Sequence, residues 1–528
     1  MRRKEDKHHF FLFLLLKRLF FVVFFLVLAL LSLKIFAENT FDAFVKVMFH
    51  SKDTILTEDE LSIAFPDTFF SFEPTSYKAS DRSRLINIYE TLVRTDKDLR
   101  IEPSLALSWG LLDDKTYQFI LRPNVKFHDG TLLTSSQVKS SIERAQFFQD
   151  SEVSNLLTTL SHIDIIDDRT FRIVTTKPDP LLLNKLTAIF IFSSDGLKNL
   201  SEKPVGTGPY RFFQFDSSTS TLVLKAFADY WGQVPKYRYL KILSIFDQIE
   251  RIDAVKNGSV DILASVPPSF VSELEPYDLE IISEPSLEAN FLFFRLSDEK
   301  NNVFSDKRLR EAVVRSIDTS KLVQYTDSHT QPLGQFVVQG VFGYDPEIVP
   351  ISYDLESARD LMKEVTAFLR IPVTIALPNG FESFGRYLYD QLYSIGFSPK
   401  IQYLEVQNFE ESIALEPPQI YLFGWRFELA DSYDFFQSVI HSLDSASQYG
   451  VFNASGYSNS QVDALIEQSS ETIEPDKRAQ LLHQIMKIIM FDDIIGVPLF
   501  RSSVIYAMKK GIVFKPRLDG YIYASQIR

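Results

Sequence analysis

LRPNVKFHDGTLLTSSQVKSSIERA, Leu121 to Ala145, leads from a strand through a turn into a helix. The apolar run Phe119-Ile120-Leu121 reads as the end of the strand. Asp129-Gly130 is a turn pair, because glycine adopts positive φ with no Cβ to clash. Thr134-Ser135-Ser136-Gln137 has the spacing of a capping box, in which the Thr and Gln side chains each satisfy an N–H left orphaned at a helix start. Val138, Ile142 and Ala145 then share one helical face. The same alternation recurs along the chain. Phe171-Arg172-Ile173-Val174, after the turn Asp167-Asp168-Arg169, and Thr221 to Lys225 read as strands. Helices are expected near Asp306 (Leu309, Val313, Ile317), at Asp354 (Leu355, Ala358, Leu361, Met362, Val365) and at Pro475 (Leu481, Leu482, Ile485, Ile488, Ile489). Each apolar stripe is core packing. Strands alternating with helices make an α/β chain.

At 528 residues the chain exceeds what one core organises, so two or three lobes are expected. Hydrophobic residues make up 45% and charged residues 23%, with 47 Phe and 22 Tyr, which excludes a disordered chain. The amino terminus differs from the rest. Arg2, Arg3, Lys4 and Lys7 precede two apolar blocks, Phe10 to Leu16 and Leu19 to Leu33, separated by Lys17-Arg18. This is an export signal over residues 1–37, with Ile35-Phe36-Ala37 as its cleavage site or, uncleaved, an N-terminal membrane anchor. With 0 Cys there is no disulfide, thiolate metal site, Cys nucleophile or lipid tether on Cys, which favours a periplasmic location. Residues 1–37 carry a net +5, so the body carries −19 of the overall −14. An acidic body argues against nucleic acid and anionic lipid as partners.

Phosphate loops, dinucleotide fingerprints, zinc helices and nucleophile elbows are all missing, and no internal repeat stands out. His50, His128, His162, His329, His441 and His483 have no metal-ligand spacing, so neither metal nor cofactor is expected. His128-Asp129 belongs to the turn already described. The richest chemistry lies in GWRFELADSYDFF, Gly424 to Phe436, where Glu428, Asp431 and Asp434 cluster among aromatics. Such acids can act as a general acid–base pair, hold an amine, or cap the helix that begins near Tyr433. Asp431 suits the cap. Glu428 lies too early for one, and an acid near Trp425 can hold an ammonium by charge-assisted hydrogen bonds and a cation–π contact.

Segment by segment, the chain after the signal resembles the dipeptide/oligopeptide-binding family of extracytoplasmic solute-binding proteins. The segments are RLINIYETLV (Arg84 to Val93) with Pro103-Ser104-Leu105-Ala106, the opening run Leu121 to Ala145, Gly206-Thr207-Gly208-Pro209-Tyr210, Asp229-Tyr230-Trp231-Gly232, Asn257 to Ile262, RLREAVVRSID (Arg308 to Asp318), GYSNSQVDALIEQ (Gly456 to Gln468) and Val497 to Phe500. All follow the family's order. The resemblance implies an α/β fold of periplasmic-binding-protein type II, with two lobes of mixed sheets joined by a hinge and an accessory domain. It places the first lobe at 38–95, 205–290 and 500–528, the accessory domain at 96–204 and the second lobe at 291–499.

It also implies the function: a receptor, not an enzyme, that encloses a short peptide as an added strand and delivers it to an ABC transporter permease, working as a monomer. An Asp of the family that binds the peptide's α-amino group falls at Glu428, with Asp431 as the back-up. Gly424 and Trp425 match directly, the first admitting the ligand backbone and the second walling the site. The Arg that pairs with the ligand carboxylate in the dipeptide branch is missing near the end of Val373-Thr374-Ile375-Ala376-Leu377, and Arg386 and Arg426 are the candidate substitutes. Phe294-Arg295 stands where the family has Phe-Asn. These departures keep open another cargo in the same fold, such as a cell-wall peptide, haem or a metal chelate. An extracytoplasmic hydrolase using Glu428 and Asp431 is the reading from a different class.

Overall fold

The computed structural model describes residues 59–193, 203–297, 302–326, 329–366, 369–415 and 418–528. The expected export signal, 1–37, and the expected start of the first lobe, 38–58, lie outside the described residues. Two long strands, Leu279–Phe294 and Gly496–Lys509, pair antiparallel at the centre of an 11-stranded sheet. Beyond Gly496–Lys509 lie, in order, Ile262–Leu263, Glu60–Phe65, Tyr239–Ser244, Thr221–Ala226 and Tyr210–Asp216. Beyond Leu279–Phe294 lie Ile420–Arg426, Ile371–Pro378 and Phe397–Leu404. Glu60–Phe65 and Ile371–Pro378 each run parallel to both neighbours, so the sheet is mixed. The register of the long pair breaks between Pro285 and Ala289 and again between Asn290 and Phe291. Such bulges bend a strand and re-aim its side chains.

Two lobes share this sheet, one on each side of the break. Leu61, Ile63, Leu240, Ile242 and Tyr506 belong to the core of one side. Phe291, Phe293, Phe336 and Phe435 form an aromatic core on the other, where Phe293 and Phe336 stack 5.6 Å apart at 2°. Burying a side chain of this size is worth roughly 1.5–3 kcal/mol, which explains the heavy use of Phe. A separate antiparallel sheet of Ala106–Asp113, Thr116–Leu121, Thr170–Thr175 and Leu160–Ile165 has its own core. Helix Ser135–Phe147 contributes buried Val138, Ile142 and Ala145 to it, and Gln137 Oε1 accepts the N–H of Thr134 at 3.2 Å.

The other expected helices form where their caps stand. Asp306 accepts from Arg308 N (2.9 Å) ahead of Lys307–Ser316, and Asp354 accepts from Ser357 N (3.0 Å) ahead of Leu355–Thr366. Pro475 opens Pro475–Lys487.

Several of the family-like segments interlock. A Cβ at Gly206 would lie 2.1 Å from Ile88 O, so only glycine admits the close approach in which Gly208 N donates to that carbonyl (2.9 Å). Asn87 clasps the carboxy-terminal tail, donating to Ile522 O (3.2 Å) and accepting from Ala524 N (3.0 Å). Tyr230 and Trp231 both donate to Glu90, at 2.8 and 2.9 Å. His128 bridges Gly206 N (3.3 Å) and Gly208 O (2.9 Å), which makes it a structural clamp.

Candidate functional site

Past Arg426 the chain leaves the sheet in a tight turn. Glu428 N donates to Arg426 O (2.9 Å), Ala430 N donates to Phe427 O (3.0 Å), and Ala430 adopts φ +55°. The loop at 342–343 pins this turn: Phe342 N donates to Ala430 O (2.9 Å) and Ser432 N to Phe342 O (3.0 Å). It comes this near because residue 343 is glycine, where a Cβ would fall 2.0 Å from Ser432 Oγ.

Between the turn, the helix Ala79–Leu85 and the carboxy-terminal segment 519–525 lies a cleft of about 890 Å³, counted with its open mouth. Tyr77, Arg82, Glu428, Tyr521 and Tyr523 are among the residues that line it. A wider hollow of about 1780 Å³ adjoins it at Leu99 and Ala430, bordered by Arg100, Glu284 and Arg501. The arrangement suits a ligand with an apolar or aromatic body and a charged end.

Glu428 delivers its carboxylate to the first cleft with a side chain 29% exposed, and its cation within reach is Arg426, whose Nε lies 3.7 Å away. Burial, and secondly the Glu428 charge, push the Tyr77 phenol far above its ordinary range, so it stays a hydrogen-bond donor. Burial also raises the Tyr521 phenol. Glu90, also on the wall, is raised by burial, with hydrogen bonds from Trp231 and Tyr230 opposing the shift.

The remaining candidates spread out. Asp431 borders the wider hollow, but its carboxylate is held by Arg478 through bonds of 2.6 and 2.8 Å with both side chains almost wholly buried. It also accepts from Tyr433 N (2.9 Å), although the cap position of the helix Tyr433–Phe435 is Ser432 and not Asp431. Glu428 and Asp431 therefore belong to different hollows, and a carboxylate fixed by a guanidinium is not free to shuttle protons. Asp434 is half-buried, and burial, with the charges of Asp431 and Glu428, pushes its carboxyl well above the usual range. Trp425 stacks on Phe423 (6.3 Å, 17°) and meets Phe435 and Phe452 edge-on or tilted, so its ring joins the core of its lobe. Neither it nor Gly424 is among the residues lining the two hollows. Gly424 lies opposite Asn290 in the sheet, where a Cβ would meet Asn290 Oδ1 at an ordinary 3.6 Å.

Of the two candidate arginines, Arg426 is spent on structure, donating through Nη2 to Asp519 O at 2.6 Å. Arg386 is exposed on helix Glu382–Ile395, donates to Ser383 Oγ at 3.4 Å, and lines neither hollow. The structure brings forward a residue that sequence reading passed over. Arg82 is 4% exposed, lines the first cleft, and stacks its guanidinium 4.6 Å from the Phe190 ring. Within Asp81-Arg82-Ser83-Arg84 it reads as ordinary helix charge, and only the approach of Thr187, Ala188 and Phe190, over 100 positions away, buries it. Among the described residues no group of three or more His, Cys, Asp or Glu side chains is placed to hold a metal ion.

Comparison with known proteins agrees with this architecture. The glutathione-binding protein GsiB of Salmonella typhi is 24% identical over 479 residues, covering 87% of this chain and 92% of that protein. The periplasmic binding protein DppA of Helicobacter pylori, solved with the peptide STSA, superposes with a TM-score of 0.69 at 22% identity, covering 89% and 97% of the two chains. NikA of Staphylococcus aureus, solved with Ni(L-His)2, superposes with a TM-score of 0.66 at 21% identity, covering 89% and 99%. One fold thus carries quite different cargoes. Residues 100–447, more than half of the chain, match the family described as bacterial extracellular solute-binding proteins, family 5 (middle region), and it is to this family that the protein belongs.

Proposed function

We propose that the protein is the peptide receptor of an ABC import system, closing two lobes on a short peptide and presenting it to a membrane permease. The observation that carries this reading is Glu428: a carboxylate facing an aromatic-walled cleft, with its cation only at 3.7 Å. That is the chemistry an α-ammonium group requires. The names of the relatives support it, since glutathione and STSA are both peptides. In this reading the lobes are 38–95 with 205–290 and 500–528, and 291–499, with 96–204 as the accessory domain. The hinge lies in the two long strands near Pro285 to Ala289. The receptor works as a monomer outside the cytoplasmic membrane, in a periplasm, whether free or held by its amino-terminal segment. No turnover accompanies binding.

Isothermal titration with an equimolar pool of di-, tri- and tetrapeptides, and separately with glutathione, tests the reading. Binding is expected to weaken about tenfold in Glu428→Gln and on N-acetylation of the peptides, the worth of one charge-assisted hydrogen bond. No heat from any of these ligands would end the peptide assignment.

A further inference from the structure

The charges lining the first cleft pair off unevenly. Arg94 is held by Glu102 at 2.7 Å, and Asp519 by Arg517 at 2.5 Å. Glu90 is occupied by Tyr230 and Trp231. That leaves Glu428 as the loosely held anion and Arg82 as its opposite. Arg82 donates through Nη1 to Ala188 O (2.8 Å) and through Nη2 to Thr187 O (3.4 Å), and among the described residues no carboxylate lies within ion-pair distance of it. A guanidinium has five N–H donors, and two carbonyls are neutral acceptors that leave most of that capacity and all of the charge unmatched. Keeping such a cation 4% exposed is costly unless an anion joins it. Tyr77 and Tyr521 line the same cleft and each feels both charges.

We infer that Arg82 is the carboxylate anchor of the site, taking the role for which no arginine stands near the end of Ile371–Pro378. The inference rests on the peptide reading and sharpens it. With an amine held at Glu428 and a carboxylate at Arg82, both lining one cleft, the cargo is a short zwitterion whose two ends are both recognised. Phe190 and Tyr77, whose rings lie 4.6 and 5.6 Å from the Arg82 guanidinium, keep its plane fixed for a bidentate fork. A long peptide whose carboxylate lies far from its amine does not satisfy both ends.

The test compares the peptide pool with free carboxylates against the same pool as C-terminal amides, by titration on the full mature protein. Wild type is expected to bind the acids about 10- to 100-fold more tightly than the amides, and Arg82→Gln to bind both alike. Arg82→Lys should retain part of the preference. A purely structural Arg82 would lower the melting temperature of Arg82→Gln without altering the acid-to-amide ratio. If Arg82→Gln does not fold, the ratio in wild type and in Arg82→Lys still decides. Peptides that bind wild type equally as acids and amides, or a ratio unchanged in Arg82→Gln, overturn the anchor and leave the peptide receptor standing. If neither pool binds, the receptor reading falls and the anchor falls with it.

Discussion

Glu428 and Asp431 are three positions apart in sequence and have opposite fates. The carboxylate of Asp431 is consumed by Arg478 inside the protein, while that of Glu428 looks into the cleft. Removing one partner from a buried pair strands the other charge, so Asp431→Ala should cost about 3–5 kcal/mol in denaturant unfolding. Glu428→Gln should stay within about 0.5 kcal/mol of wild type while losing ligand. Equal destabilisation by the two would show that Glu428 also serves the fold. His128 gives a second check. Burial lowers its pKa from 6.5 to about 4, with the Gly208 carbonyl opposing the shift, and Gly206 N needs Nδ1 unprotonated. A base depressed in the folded state favours folding above its unfolded pKa and loses that contribution as pH falls from 6.5 through about 4. A shift of this size is worth at most about 3 kcal/mol. His128→Gln should therefore flatten the acid limb of a stability-against-pH curve in that window, and an unchanged slope would remove His128 from the account.

At the scale of elements, the parts legible in sequence were those governed by neighbours along the chain. Thr134 with Gln137, Asp306 and Asp354 open helices because a cap satisfies N–H groups within three residues, and Pro475 because its fixed φ suits the first helical position. Strands such as Thr116–Leu121 and Thr170–Thr175 follow from alternation. The helix after Asp431 is less regular than its sequence suggests, running Tyr433–Phe435 and then widening to a π-turn over Phe436–Ile440. The site was legible only in part. Glu428 could be picked because it is an acid with no local job, whereas Trp425, expected to wall the site, packs on the core instead, since an aromatic within a strand can face either side. Arg82 escaped notice because its burial depends on Phe190. The segments that carried the family resemblance turn out to grip one another, as Gly206 grips Ile88 and Trp231 grips Glu90. They report the fold.

In the whole molecule, Asn184, which borders the wider hollow, donates through Nδ2 to the carbonyl of Leu429, which lines the first cleft, at 2.8 Å. It joins the segment Leu182–Leu186 to the turn that carries Glu428. Asn184→Ala is expected to weaken peptide binding about fivefold with little change in melting temperature, since a single surface hydrogen bond is lost beside the cleft. Small-angle scattering should show wild type contracting on saturation with peptide, and Asn184→Ala more expanded before ligand is added. Identical radii for the two proteins would deny the bridge a part in closure. The central position of Gly496–Lys509 has a different consequence, one for biogenesis. This strand lies between Ile262–Leu263 and Leu279–Phe294, so the two halves of the sheet are joined only when it pairs with partners distant in sequence. Non-local pairing of that kind is slow to form, and a chain still lacking it exposes two unpaired strand edges.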